Sequence, residues 1–309
     1  MKIKFFFIIT IVAILLGCDY LFIPNIVILK SSTSIKVTQD GLHRMLLNKK
    51  SVAKWWPGTV TNETYYYNDI TYSINDNNIS LLPIILKKDD LQINTSFYLI
   101  TVDKELVNIE WVGKTITSYN PIKRILAYVN AKKINADMDV ILNNIKTHYT
   151  ASENIYGCSI KEVLVVDANL INTFSSTKGY PTIEHIYTLI DKLTNYANNK
   201  KVAITGYPML NVQPLTKDSF YIKIALPLEK VIPGNGEIFQ KQMLKDGNIL
   251  VTEVKGGILQ TQNVFNEIVN YANDHHRSMP AIPFYSLITD RRKDADSTKW
   301  ITKIYCPVM

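Results

Sequence analysis

Asn195-Tyr196-Ala197-Asn198 closes the run Tyr187-Thr-Leu-Ile-Asp-Lys-Leu-Thr, and Asn270-Tyr271-Ala272-Asn273 closes the run Val264-Phe-Asn-Glu-Ile-Val. The same tetrapeptide recurs 75 positions later. Each copy follows a glycine-bearing turn, Lys178-Gly179-Tyr180-Pro181 in one and Lys255-Gly256-Gly257 in the other. Each precedes a strand-like run ending in proline, at Pro227 and at Pro307. Ile183, Ile186, Leu189, Ile190 and Leu193 have helical spacing, which predicts a helix ahead of the first copy. Residues 160–174 and 220–228 read as strands of that half. Residues 248–254, 259–272, 284–289 and 300–308 read as strand, helix, strand and strand of the second. Turn, helix and strand, given twice, predict two similar α+β halves packed against each other. The groove between such halves suits a small organic ligand.

Working outward, 309 residues suffice for two domains of ordinary size. With 47% hydrophobic and 20% charged residues, a packed core is expected rather than global disorder. The net charge of +7 is spread along the chain. No Lys/Arg-rich block or helix-turn-helix pattern points to nucleic acid as a partner. Cys18, Cys158 and Cys306 show no metal-ligand spacing, so neither metal nor cofactor is expected. Cys158 opens the second domain and Cys306 nearly closes it; they would pair if the first and last strands were neighbours.

The amino terminus reads as a membrane segment, residues 1–28. Lys2 and Lys4 precede thirteen uncharged residues, 5–17. Leu15-Leu16-Gly17-Cys18 has the form of a lipobox, where a bacterial signal peptidase cuts and the Cys18 thiol is lipidated. The other reading is an uncleaved transmembrane helix, because apolar character resumes at Tyr20 and runs to Leu29, with Pro24 and Asn25 at the exit. Both readings give a membrane-anchored protein with an extracytoplasmic globular part, since flanking lysines favour a cytoplasmic amino end.

The first globular region, 29–150, begins with an extended stretch at 34–37 and a helix at 39–47. Strand candidates follow at 64–67, 70–74, 81–86, 92–102 and 106–117, with turns such as Asn75-Asp-Asn-Asn78 between them. Met138, Ile141, Leu142 and Ile145 then mark a long closing helix. The fold class is therefore α+β, with an antiparallel sheet wrapped around that helix. The Ile35-Lys-Val strand, the helix after Asp40, the Lys54-Trp-Trp-Pro-Gly58 turn and the Leu142-Asn-Asn-Ile-Lys146 helix resemble the START-like helix-grip (SRPBCC) superfamily. The resemblance implies a hydrophobic ligand between sheet and final helix, with Trp55, Trp56, Phe97, Tyr98 and Trp111 as cavity candidates. Ordinary core packing is the simpler account of any one of them.

The second region, 151–309, resembles the gyrase-inhibitor-like (GyrI-like) family, which is also the effector-binding domain of multidrug-sensing transcription activators. The most specific part is Ser297-Thr-Lys-Trp-Ile-Thr-Lys-Ile-Tyr-Cys-Pro-Val308, supported by Pro283-Phe-Tyr285 before Asp290-Arg291. The resemblance implies an aromatic pocket between the repeats. Tyr285 and Trp300 match its lining in the second half, and Tyr180, Tyr207 and Phe220 fall at its edges in the first. Many relatives carry a glutamate immediately before the tyrosine matched by Tyr285. This chain has Phe284 there, which weakens both cation binding and catalysis. Glu253, on the strand leading into the second glycine turn, is the substitute acid, although a solvated edge charge explains it more simply. His43, His148 and His185 stand alone on candidate helices, and His275-His276 suit a solvated helix end. No catalytic residue is assigned, because no nucleophile-base order or phosphate loop occurs. The expectation is an anchored protein that binds an apolar or aromatic small molecule without DNA binding. The alternatives are a hydrolase- or cyclase-like enzyme and a scaffold whose pockets are filled by side chains.

Overall fold

The computed structural model describes Gly17 and residues 20–61, 64–88, 91–166 and 169–309. Cys18 and the apolar run before Gly17 lie outside the described residues. Among the described residues no helix is long and apolar enough to cross a membrane. The chain divides into two compact units, Met1–Ile155 and Tyr156–Met309.

The first unit is one antiparallel sheet and a long helix. Strand β1 (Ile26–Ile35) leads to helices α1 (Gln39–Leu47) and α2 (Lys49–Trp55). Strands β2 (Thr59–Thr61), β3 (Thr64–Tyr67), β4 (Ile70–Ile74), β5 (Leu81–Lys88), β6 (Leu91–Asp103) and β7 (Leu106–Ile116) follow, then α3 (Pro121–Tyr149). The order is β1-β7-β6-β5-β4-β3-β2, so β2 to β7 form a meander and β1 closes beside β7. Alternation sets the buried face: Ile93, Thr95, Phe97 and Leu99 of β6, and Val107, Ile109 and Trp111 of β7, all point inward. Helix α3 supplies the opposing stripe. Its Met138, Ile141, Leu142 and Ile145 lie one or two turns apart and are fully buried, each burial stabilising by about 1.5–3 kcal/mol. Pro121 occupies the first turn, and the Asn120 carboxamide accepts from Lys123 N at 3.1 Å, which fixes the helix start.

Two expectations for this unit change. The first strand begins at Ile26, before the extended stretch expected at 34–37, and pairs along its length with β7. Its apolar residues serve the sheet: Leu29 faces inward while Ile28 faces outward. A second short helix, α2, precedes the Trp-Trp-Pro-Gly turn, because Asn48 caps it by accepting from Lys50 N and Ser51 N.

The second unit is built twice over. Strand β8 (Lys161–Leu164), β9 (Asn169–Lys178), α4 (Ile183–Asn199), β10 (Met209–Thr216) and β11 (Ser219–Pro227) form one half. Strand β12 (Phe239–Gln242), β13 (Asn248–Lys255), α5 (Ile258–Asp274), β14 (Phe284–Leu287) and β15 (Ile301–Pro307) form the other. The sheet order is β12-β9-β11-β10-β14-β15-β13-β8. Equivalent strands stand symmetrically about the β10–β14 junction, and each leading strand, β8 or β12, pairs with the other half. Helix α4 packs Ile186, Ile190 and Leu193 with Ile222 and Ile224, and α5 packs Val264 and Ile268 with Leu250 and Ile304.

The repeated tetrapeptide is the last helical turn of each half. Ala197 and Ala272 are fully buried. Val202 N donates to Ala197 O at 3.1 Å and Arg277 N to Ala272 O at 2.8 Å, while Lys201 N and His276 N donate to Asn198 O and Asn273 O. Lys201 (φ 51°) and His276 (φ 53°) take the left-handed conformation, so both helices end in a Schellman motif. Gly179 (φ 78°) supplies the same freedom in the first glycine-bearing turn.

Two further expectations are corrected. The single strand expected at 160–174 is two strands, because β8 pairs with β13 and β9 pairs with β11 and β12 at the opposite end of the sheet. Cys158 and Cys306 are not bridged to one another, and the first and last strands are not neighbours, since β13 lies between them.

Candidate functional site

Register decides which side chains of the second unit can meet. Residues directly opposite one another across antiparallel strands share a face. One row runs Ile224, Leu210, Tyr285, Ile304, Thr252, on the face that carries both helices. The adjacent row runs Ala225, Met209, Ser286, Lys303, Glu253, on the opposite face. Tyr285 and Phe284 are neighbours in sequence but belong to different faces.

On the face away from the helices a groove of about 520 Å³ crosses the β10–β14 junction. Its floor includes Met209, Asn211, Lys223, Ala225 and Phe284, and residues 241–244 form one wall. A second groove of about 400 Å³ shares Val165, Met209, Met243 and Phe284 with it and reaches Tyr207, Lys303 and Tyr305. Phe284 stacks on Tyr305 with ring centroids 5.0 Å apart. Glu253 is exposed on the same face, with Lys303 Nζ 3.9 Å from its carboxylate. Of the residues predicted from sequence, Tyr207 and Phe284 therefore line these grooves and Glu253 stands outside their walls.

Tyr180, Phe220, Tyr285 and Trp300 gather on the helix-bearing face. Tyr180 meets Phe220 edge to face at 5.5 Å, and Tyr285 meets Phe265 at 6.2 Å. Burial, and then the nearby Tyr180, push the Tyr285 hydroxyl up to about 12. Trp300 is buried, donates its indole N–H to Asp294 O at 2.8 Å and carries the Arg291 guanidinium 4.8 Å from its ring. Arg291 is itself buried and donates to Thr302 Oγ1 at 3.1 Å. Sequence reading placed these aromatics in one pocket with Phe284; the sheet separates them.

In the first unit the predicted cavity residues pack on one another. Phe97 meets Trp111 at 4.8 Å and Trp55 meets Trp56 at 5.8 Å. All three indole N–H groups are spent inside the protein: Trp55 on Tyr149 Oη, Trp56 on Tyr66 O and Trp111 on Thr95 Oγ1. Tyr98 faces outward. A cavity of about 220 Å³ does open between the sheet and α3, at Ile93, Thr115, Leu126 and Ile134, and none of the predicted aromatics lines it.

Two of the three histidines expected to stand alone have polar neighbours, while the buried His148 Nε2 has no hydrogen-bond partner among the described residues. His43 Nε2 lies 3.3 Å from Asp76, and His185 Nε2 lies 3.2 Å from Ser175 Oγ. Among the described residues no carboxylate hydrogen-bonds the His185 ring, so the pair lacks the orienting third member of a catalytic set. Among the described residues no cluster suits a metal ion.

The groove residues that sequence reading missed include Met209, Asn211, Lys223, Ala225 and Lys241. Alternation along β11 does place Lys223 away from the core, but nothing in the residue type marks it as facing a groove.

No family model matches the chain, and no curated protein matches it. Similar solved structures include the C-terminal domain of EcmrR, at 13% identity over 49% of this chain and 98% of that one, with a TM-score of 0.42. A hydrolase from Listeria innocua matches at 10% identity over 49% of this chain and 92% of that one, TM-score 0.37. A Streptomyces aromatase/cyclase matches at 10% identity over 38% of this chain and 93% of that one, TM-score 0.28. The fold described above rests on strand order and register, not on these likenesses.

Proposed function

We propose that this chain is a membrane-tethered small-molecule-binding protein of START-like and GyrI-like kinship, whose ligand lies across the junction of the two repeats. The observation that carries the reading is the groove spanning β10 and β14. Its volume falls in the range of ligand sites, its floor is mostly apolar, and a few polar groups converge on it. The reading is of a binder, not a catalyst, because these polar groups include no nucleophile paired with a base.

A thermal-shift screen of the full chain in detergent tests it, since a ligand bound only to the native state raises its stability with concentration. Met209→Trp fills the floor and should abolish the response to apolar or aromatic hits, whereas Tyr180→Ala, at an exposed position on the other face, should leave it. Hits lost with Tyr180→Ala but kept with Met209→Trp would move the site to the helix-bearing face. Turnover of a hit would make the protein an enzyme, and a screen without hits would sink the reading.

The tether reading is supported by the corner where the amino-terminal segment meets the first unit. The Tyr20 hydroxyl donates to Tyr119 O, and Arg124, only 2% exposed, donates to Ile23 O and lies 4.8 Å from the Tyr20 ring. Close to it in the chain, Ile116, Tyr119, Ile122 and Leu126 are exposed apolar side chains, and Ile116 and Leu126 line one depression, which suits a lipid surface. Fractionation should find the chain with membranes, and a reporter active only outside the cytoplasm, fused after Met309, should be active. Palmitate labelling lost in Cys18→Ser identifies a lipoprotein; membrane retention without labelling identifies a spanning helix. A free cytoplasmic pool would refute both.

A further inference from the structure

Asn211 and Lys223 are directly opposed across β10 and β11, so their side chains share the groove floor. Asn211 is 9% exposed, and its Nδ2 donates to Pro283 O at 2.8 Å. That bond fixes the carboxamide, because turning it over would set two oxygens against each other. The Asn211 Oδ1 is then buried, with no hydrogen-bond partner among the described residues. Folded proteins rarely keep such an acceptor unless something donates to it. Lys241, from β12, enters the same groove. Burial lowers the pKa of Lys223, and the neighbouring Lys241 charge lowers it further. Two ammonium groups over an apolar floor oppose each other, and an anion between them converts that repulsion into attraction. Asp246, exposed at the rim, is the one carboxylate side chain among the described lining residues.

We propose that the groove receives an amphipathic organic anion. Its apolar body lies over Met209, Ala225 and Phe284, its carboxylate or sulfonate faces Lys223 and Lys241, and a hydroxyl or N–H on the body donates to Asn211 Oδ1. This deepens the binding reading above and rests on it. It gives the site the opposite charge preference from one built around a glutamate, and it uses the face of the sheet away from the helices.

The test uses the full chain in detergent and three probes. 8-Anilinonaphthalene-1-sulfonate carries the anion, the apolar body and an N–H. N-Phenyl-1-naphthylamine keeps the body and N–H without the charge. Tetraphenylphosphonium is an apolar cation. Binding to the protein is read against empty micelles. The sulfonate probe should bind tightest, and Lys223→Met with Lys241→Met should weaken it by about tenfold or more, the usual effect of losing a charge-assisted contact. The uncharged probe should change little in the same variant. Lys223→Arg should retain most of the sulfonate affinity, which separates charge from folding. Asn211→Leu should weaken both probes that carry an N–H. If the double lysine variant binds the sulfonate probe as well as the parent, or if the cation binds tightest, the anion assignment is wrong while the groove reading stands. If no probe binds in a manner blocked by Met209→Trp, the groove reading fails and this proposal with it.

Discussion

The two left-handed residues that end α4 and α5 make a prediction with a worked magnitude. Lys201 and His276 sit at positive φ and are exposed. Holding an L-residue there costs about 1–2 kcal/mol. Glycine avoids that cost but loses more backbone entropy on folding, about 0.5–1 kcal/mol. The capping bonds run between backbone groups and survive the change. Lys201→Gly and His276→Gly should therefore each stabilise the second unit by about 0.5–1 kcal/mol, and the two should add because they cap different helices. For a unit of this size each corresponds to a rise of about 1–4 °C in Tm. Calorimetry gives the Tm, and hydrogen exchange of core amides in α4 and α5 gives the free energy of that unit directly. Lys201→Ala is the control: alanine keeps the strain, so its effect should stay within about 0.5 kcal/mol. If both glycine variants destabilise, or if alanine stabilises as much as glycine, the capping argument is wrong.

Three other outcomes follow from buried groups. Burial raises the Asp137 carboxyl above its ordinary value, opposed by the hydrogen bond from Asn68. Between the ordinary and the raised value the folded state holds more protons, so stability falls as pH rises through that window and stays lower above it. Asp137→Asn should flatten that slope in urea titrations followed by tryptophan fluorescence. Burial pushes the Cys306 thiol up to about 12, so in a Cys18→Ser background a disulfide reagent should modify Cys158 first and reach Cys306 only on unfolding. Trp300→Ala removes a buried indole and its bond to Asp294 O and should cost about 3–5 kcal/mol by chemical denaturation, with Trp300→Phe recovering most of it.

The parts of the fold legible in sequence are those with a local signal. The strands of the first unit alternate, α3 repeats its apolar stripe, and the tetrapeptide Asn-Tyr-Ala-Asn writes the same helix ending twice. What could not be read depends on pairing. The run from Ile160 is uniformly strand-like, so nothing local shows that β8 and β9 leave for opposite ends of the sheet. Strand β10, polar and with Pro214 inside it, lacked a strand signal. The site suffered most, because a shift of one residue moves a side chain to the other face. The family resemblance groups Tyr285 and Phe284 in one pocket, and register separates them.

The crossing of the two leading strands bears on how such a sheet could arise and be taken apart. Strand β12 precedes the second half yet completes the first, and β8 precedes the first yet completes the second. One half of the second unit alone would expose an unsatisfied edge along β9 or β13, and an unsatisfied edge recruits another strand. It would close only by meeting a second copy and exchanging arms with it, so the single-chain form reads as a symmetric pair whose partners were joined end to end. Cutting the loop between β11 and β12 should leave two fragments that recover their structure only together.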